Sequence, residues 1–133
     1  MKIPVRKTAL AALSVLDPHK IKDMVCAALD SDKAEDIEAI DLRDHSALAD
    51  YMIVASGRSS RQVAALADKL VDHFAKIGIK NVRTEGQRQG DWVIVDAGDI
   101  IVHLFRPEVR EFYNIEKMWR AMPLMGTQTE TRT

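Results

Sequence analysis

Residues 91–105, which read DWVIVDAGDIIVHLF, decide how the fold is interpreted. Trp92–Asp96 and Ile100–Phe105 are rich in the β-branched residues that favour strands, and Ala97–Gly98–Asp99 between them is typical of a tight turn. This stretch therefore predicts a β-hairpin that adds two antiparallel strands to a larger sheet.

The segment before the hairpin predicts a buried strand followed by a long helix. Tyr51–Ser56 is a continuous apolar run that ends at Gly57, the pattern of a strand buried on both faces. Ser59 and Gln62 then form a capping box at the start of a helix that runs to about Lys76. The buried strand is therefore expected at the centre of the sheet.

The remaining elements complete a mixed α/β fold. We expect the next strand, Asn81–Glu85, to lie parallel to the central strand through a right-handed crossover. The chain is predicted to begin with a helix over Pro18–Leu29, capped by Asp17, and a short strand over Ile37–Leu42. It is predicted to end with a helix over roughly Glu108–Met122. Together they predict a mixed sheet of about five strands flanked by helices, with one parallel βαβ crossover and a C-terminal hairpin plus helix.

Size and composition indicate one intracellular domain. The chain has 133 residues, of which 47% are hydrophobic and 29% charged, as is usual for a globular protein. We expect the domain to span residues 17–122, between a loosely ordered extension over 1–16 and a polar tail over 123–133. The formal charge of −1 gives no general attraction to nucleic acid or membrane, and the single cysteine, Cys26, is typical of a reducing compartment. A cytoplasmic location is therefore expected.

Several segments resemble the Iojap family of ribosomal silencing factors, in the same order along residues 20–119. They are 50–57 (DYMIVASG), 59–63 (SSRQV), 85–86 (EG), 91–103 (DWVIVDAGDIIVH), 110–113 (REFY) and 115–119 (IEKMW). The resemblance implies a factor that docks on the large ribosomal subunit, against the ribosomal protein called L-fourteen, and prevents the small subunit from joining, so that translation is repressed. It also implies a link to large-subunit assembly, a homodimer when free, and no catalytic reaction, cofactor or metal.

The candidate partner-binding residues lie on the hairpin, just before it and on the last helix. Residues 85–99 carry four carboxylates and one arginine, a local formal charge of −3 that complements a basic ribosomal protein. Tryptophan and tyrosine are frequent interface anchors. By family motif and by this chemistry, the candidates are Glu85, Asp91, Trp92, Asp96, Gly98, Asp99, His103, Tyr113 and Trp119.

Many of these residues also have a purely structural interpretation. Asp96 and Asp99 flank a tight turn, where aspartate bonds nearby backbone amides. Trp92 is more often packed in a core than exposed at an interface. Tyr113 and Trp119 lie on an apolar helical stripe, which more often meets the sheet than a partner. The sequence leaves both interpretations open.

Two other functions stay open on the sequence. The predicted topology is nucleotidyltransferase-like, and Gly57–Ser60 at a strand-to-helix junction suits a phosphate, but Asn81–Glu85 supplies only one carboxylate for a metal. A nucleotide-binding enzyme is therefore the alternative hypothesis.

His103, alone in an apolar strand, is more typical of a histidine hydrogen-bonded within the fold than of a base or metal ligand. RNA binding has only a sparse basic helix face in its favour, so at most a peripheral contact with rRNA is expected.

Overall fold

The computed structural model describes residues 17–121, which form a five-stranded sheet with four helices. The helices are α1 (Pro18–Ser31), α2 (Ser60–Lys76), α3 (Pro107–Tyr113) and α4 (Ile115–Arg120). The strands are β1 (Glu35–Asp41), β2 (Tyr51–Ser56), β3 (Arg83–Glu85), β4 (Trp92–Asp96) and β5 (Ile100–Phe105). The predicted extension over 1–16 and the tail over 123–133 lie outside the described residues. Among the helices described, none is long and apolar enough to cross a membrane.

The sheet has the strand order β1-β2-β5-β4-β3, with β2 and β5 parallel and the other neighbours antiparallel. The predicted mixed sheet and C-terminal hairpin are confirmed. β3 runs in the same direction as β2, as expected, but β5 and β4 lie between them, and β3 pairs with β4 at the edge. β5 is the middle strand and the fully buried β2 lies beside it, whereas the short and largely exposed β3 suits an edge.

The predicted starts of the two long helices are confirmed. The Asp17 carboxylate caps α1 by accepting a hydrogen bond from the backbone N–H of His19 at 3.0 Å. Ser59 caps α2 in the same way, through its hydroxyl oxygen. β1 begins at Glu35 rather than at the predicted Ile37.

The two faces of the sheet are covered to different extents. α1 and α2 pack on one face and bury the larger apolar cluster, which includes Leu29, Ile53, Phe74, Val95 and Leu104. The opposite face has a smaller cluster, which includes Met52, Val54, Phe105 and Ile115. There α3 packs on β5 and α4 packs on β1, and the surface over β4 stays partly exposed. An interaction surface is therefore expected on this second face.

The prediction of one continuous last helix is wrong, because the chain breaks at Asn114 between α3 and α4. Asn114 has φ 46° and ψ 52°, the left-handed conformation that asparagine tolerates better than most residues. Its backbone N–H donates to the carbonyl of Arg110 at 2.7 Å and closes α3. The apolar stripe of the predicted helix is therefore divided between two short helices.

Candidate docking surface

Five ring-bearing side chains of β4, β5 and α3 lie in contact on the second face of the sheet. We call this row the aromatic ridge, and its members are Phe112, Tyr113, Trp92, Phe105 and His103. Between ring centroids, Trp92 lies 4.8 Å from Phe105 and 4.9 Å from Tyr113. Phe112 meets Tyr113 edge-on at 4.9 Å. These are favourable separations for aromatic pairs, so the ridge is a packed unit.

The α3 end of the aromatic ridge is exposed to solvent. Phe112 is 78% exposed and Tyr113 53%, and Met118 of α4 is 55% exposed. Phe112 and Met118 therefore face solvent rather than the sheet, and the Tyr113 ring is covered only in part, by its contact with Trp92. A seven-residue helix that ends at Asn114 turns only one side to the sheet. Trp119, in contrast, is partly buried against the smaller core.

His103 is hydrogen-bonded within the fold, as the sequence favoured. The indole N–H of Trp92 donates to His103 Nδ1 at 3.0 Å. Because an indole nitrogen only donates, Nδ1 must accept, and the neutral imidazole carries its proton on Nε2. Burial lowers the pKa of His103 to about 4, against the opposing effect of the Glu116 carboxylate. The ring is therefore neutral at physiological pH.

Asp91 connects three elements at the start of β4. Its carboxylate accepts hydrogen bonds from Arg106 Nε at 2.8 Å and from the Ser60 hydroxyl at 3.2 Å. Its backbone carbonyl accepts a third bond, from the Arg106 N–H, at 3.0 Å. The charge of Asp91 is therefore compensated by Arg106, and its role in partner binding stays a prediction.

Asp96 stabilises the hairpin turn by bonding a nearby backbone amide, the structural role expected of an aspartate at a tight turn. The Asp96 carboxylate accepts a hydrogen bond from the Gly98 N–H at 2.9 Å, and Gly98 has φ 91°, a conformation that favours glycine. The carbonyl of Asp99 accepts bonds from the N–H groups of Asp50 and Tyr51, which fixes the turn against the start of β2. The Asp99 side chain itself is exposed.

Glu85 and Asp96 share the sheet face that carries the aromatic ridge. In the β3–β4 register, Glu85 is paired with Ile94 and Arg83 with Asp96. Paired residues point to the same face, and alternate residues of one strand do so too, which places Glu85 and Asp96 on the side of Trp92. Arg83 lies directly opposite Asp96, so this border is less acidic than the sequence of residues 85–99 suggested.

The predicted site residues thus fall into separate groups. Trp92, His103 and Tyr113 are brought together in the aromatic ridge. The turn residues 96–99 lie at the opposite end of the hairpin, roughly 13 Å away along β4 at the usual rise per strand residue. Trp119 belongs to the smaller core. A single continuous surface through all the candidates is therefore not formed.

Sequence reasoning did not single out Phe112 and Arg110. Phe112 is exposed near the end of α3, which closes at Asn114. The asparagine in an otherwise helical segment is the signal that points to that break, because asparagine is a poor helix former and accepts the left-handed conformation. Arg110 has no comparable signal, since a charged residue on a short helix is usually solvated.

Comparison with known proteins decides the family. The family described as ribosomal silencing factor during starvation matches residues 16–133. This chain belongs to the ribosomal silencing factor family. A ribosomal silencing factor from Zymomonas mobilis is 52% identical over 103 residues, which cover 77% of each chain. One from Bacillus subtilis is 38% identical over 109 residues, covering 82% of this chain and 92% of the relative.

Solved structures have the same fold as this chain. The crystal structure of a protein from Chromobacterium violaceum matches with a TM-score of 0.76 and 37% identity, covering 81% of this chain and 90% of that one. A crystal structure from Bacillus halodurans matches with a TM-score of 0.69 and 34% identity, covering 76% and 94%. The resemblance seen in the sequence motifs is confirmed.

A more distant relative extends the family beyond bacteria. The mouse protein named mitochondrial assembly of ribosomal large subunit protein 1 is 34% identical over 100 residues, which cover 73% of this chain and 44% of the mouse chain. Membership of the family supports a role in ribosome regulation. The relatives are named for silencing and assembly, which implies a regulatory role rather than a catalytic one.

The junction between β2 and α2, which the sequence offered as an alternative phosphate site, is occupied by the protein's own groups. Gln62 Oε1 accepts a hydrogen bond from the Arg58 N–H at 2.6 Å, and Ser59 Oγ accepts one from the Gln62 N–H. The Ser60 hydroxyl donates to Asp91, whose negative charge disfavours a phosphate there. Within residues 17–121, no three His, Cys, Asp or Glu side chains cluster as metal ligands. The polar groups of this junction are therefore already paired within the protein.

Proposed function

We propose that this protein binds the large ribosomal subunit in the cytoplasm through the ribosomal protein L-fourteen, and that it blocks small-subunit joining and so represses translation. The proposal rests on family membership and on one observation of the structure, the exposed end of the aromatic ridge. It assigns no catalytic step to the protein. A contribution to large-subunit assembly belongs to the same proposal, supported by the name of the mouse relative.

The aromatic ridge has the physical properties of a docking surface. Exposed Phe112 and Tyr113 stand on a packed base formed by Trp92 and Phe105, so little side-chain entropy is lost when a partner covers them. Large aromatic side chains dominate the binding energy of many interfaces. A partner that covers this end of the sheet would bury apolar surface that the fold leaves in water.

Charges around the aromatic ridge supply orientation rather than most of the affinity. Glu85 on β3 and Asp96 on β4 lie on the same sheet face as the ridge, and a basic partner is attracted to them. Arg83, the cross-strand partner of Asp96, reduces this attraction, so we expect the charges mainly to affect the association rate and its salt dependence. Peripheral rRNA contacts would add to that salt dependence.

Free protein is proposed to form a homodimer. Phe112 and Met118 expose apolar surface on neighbouring helices, which a second copy would cover in the absence of ribosomes. Sedimentation velocity over a range of concentrations measures this association. A monomer at every concentration would contradict the homodimer.

The experiment that tests the proposed function is sedimentation with isolated large subunits, followed by addition of small subunits. Wild type should migrate with large subunits and reduce the fraction of joined ribosomes. Phe112→Ala should weaken binding by about tenfold or more, the effect expected of a central aromatic anchor. The matched control is Leu48→Ala, because Leu48 is 72% exposed and lies in the loop before β2.

Three outcomes would overturn parts of the proposal. If wild type neither binds large subunits nor reduces joining, the silencing assignment fails. If it binds large subunits but does not bind purified L-fourteen, the identity of the ribosomal contact is wrong. Equal binding by Phe112→Ala and Leu48→Ala would place the docking surface away from the aromatic ridge.

A further inference from the structure

Arg110 is a buried arginine that connects α3 to three other elements. Only 8% of the residue is exposed. One guanidinium nitrogen, Nη1, donates to the Ser56 hydroxyl at the end of β2, at 2.9 Å, and to the carbonyl of Asp36 in β1, at 2.7 Å. Nε donates to the Glu116 carboxylate of α4 at 2.9 Å. Arginine is almost never fully buried unless it is paired, so this arrangement has a specific role in the structure.

The irregular part of β1 supplies an acceptor for Arg110. The register of β1 against β2 shifts between Glu35 and Glu38, and Asp36 within this bulge has φ 51°. A bulge takes backbone groups out of the ladder, and the Asp36 carbonyl finds its donor in Arg110. The Glu38 carboxylate lies 3.9 Å from Arg110 Nη2 and also contacts Arg120 of α4. The network therefore holds both short helices to one strand.

α3 and α4 depend on such contacts for their position. They contain seven and six residues, and helices of this length are not stable alone in water. Their apolar contribution to the core is small, with Ile115 buried and Val109 and Trp119 partly buried. A groove of about 550 Å³ stays open where Arg110 and Glu116 face β1. Apolar packing is thus incomplete, and the arginine network has to fix the helices.

We propose that Arg110 is a positioning residue for docking, which holds α3 so that Phe112 and Tyr113 are presented on the aromatic ridge. This inference rests on the proposed function. Arg110 and Tyr113 are three residues apart and therefore neighbours on the helix surface. Fixing the guanidinium on β1 and β2 fixes the direction in which the Tyr113 ring meets Trp92. Arg110 acts through these aromatic residues and not by contacting the partner.

Hydrogen exchange measures the positioning role without the ribosome. Arg110→Met removes the guanidinium, and Arg110→Lys keeps the charge but loses the planar fork that serves three acceptors. Both variants should exchange the amides of residues 107–121 about tenfold faster than wild type, with α1 and α2 unchanged. Arg58→Met is the control, since it removes the same charge from an exposed ion pair with Glu35. Unchanged exchange in 107–121 for both Arg110 variants would overturn the inference.

Binding to isolated large subunits then tests whether the positioning matters for docking. At a temperature where each variant is folded by circular dichroism, Arg110→Lys and Arg110→Met should bind about tenfold more weakly than wild type, and Arg58→Met should bind like wild type. If residues 107–121 loosen while binding is unchanged, the docking role of Arg110 is wrong. If wild type itself does not bind, the proposed function fails along with that docking role, and the exchange data alone decide whether Arg110 positions the helices.

Discussion

Acidification is expected to weaken the folded state through His103. Trp92 donates its indole N–H to His103 Nδ1, so a proton on that nitrogen would break the bond, and burial disfavours the charged ring. The folded protein therefore takes up this proton only near pH 4, whereas the unfolded chain does so near the ordinary pKa of 6.5. Between these values the unfolded state binds more protons than the folded one.

The sign and size of the effect follow from that difference. The contribution of His103 to the free energy of unfolding is complete above pH 6.5, decreases as the pH falls towards about 4, and changes little below it. At about 1.4 kcal/mol per pKa unit, the shift corresponds to a loss of roughly 3 kcal/mol over this range. A loss of that size is a large part of the stability of a small domain.

Urea unfolding isolates this contribution when wild type and His103→Gln are compared. Unfolding is followed by tryptophan fluorescence between about pH 7 and pH 4. The glutamine carbonyl can accept the Trp92 hydrogen bond but does not titrate. Carboxylates, such as Asp41 with a pKa near 2, are common to both proteins and cancel in the difference. Wild type should lose roughly 3 kcal/mol more than the variant. Parallel curves, or an NMR titration of His103 with a midpoint near 6.5, would refute the reasoning.

Substitutions at two glycines, one core residue and the helix break have separate expected outcomes, all measured by urea unfolding. Gly86→Ala should cost more than about 2 kcal/mol, because Gly86 has φ 88° and an added Cβ would lie 2.1 Å from the Trp92 carbonyl oxygen. Gly98→Ala has similar φ but open space, so it should cost only about 1 kcal/mol, and equal losses would contradict this account. Phe74→Ala should cost about 3–5 kcal/mol as a core truncation, and a loss below about 1 kcal/mol would show that the site is not packed as described. Asn114→Gly should change stability by only a few tenths of a kcal/mol, whereas Asn114→Val should cost about 1–2 kcal/mol, and the reverse order would argue against the left-handed break.

The central strands could be predicted from the sequence because their signals are local. Tyr51–Ser56, Trp92–Asp96 and Ile100–Phe105 are apolar runs bounded by turn residues, and the structure has strands with these bounds. The place of β3 in the sheet could not be predicted in the same way. Its neighbour is β4 of the hairpin rather than β2, and such a pairing between separate segments leaves no local pattern in the sequence.

The candidate surface was predictable only in part. The contact of Trp92 with Phe105 and His103 follows from the hairpin, once its short turn sets the register. The contact of Trp92 with Tyr113 depends on how α3 packs, and α3 is held by Arg110 through residues more than fifty positions away in the chain. Such a long-range polar contact leaves no pattern in the local sequence.

The separation between the turn and the aromatic ridge changes which substitution tests docking most directly. Charge reversal at Asp96 is the natural first experiment from the sequence, but it also removes the hydrogen bond that closes the turn at Gly98. A loss of binding would then follow from a distorted hairpin as well as from a lost contact. Phe112 is 78% exposed, so its truncation changes the surface with little effect on the fold. Binding by Phe112→Ala therefore decides the location of the docking surface, and Asp99→Lys, which alters an exposed side chain, is the cleaner test of charge.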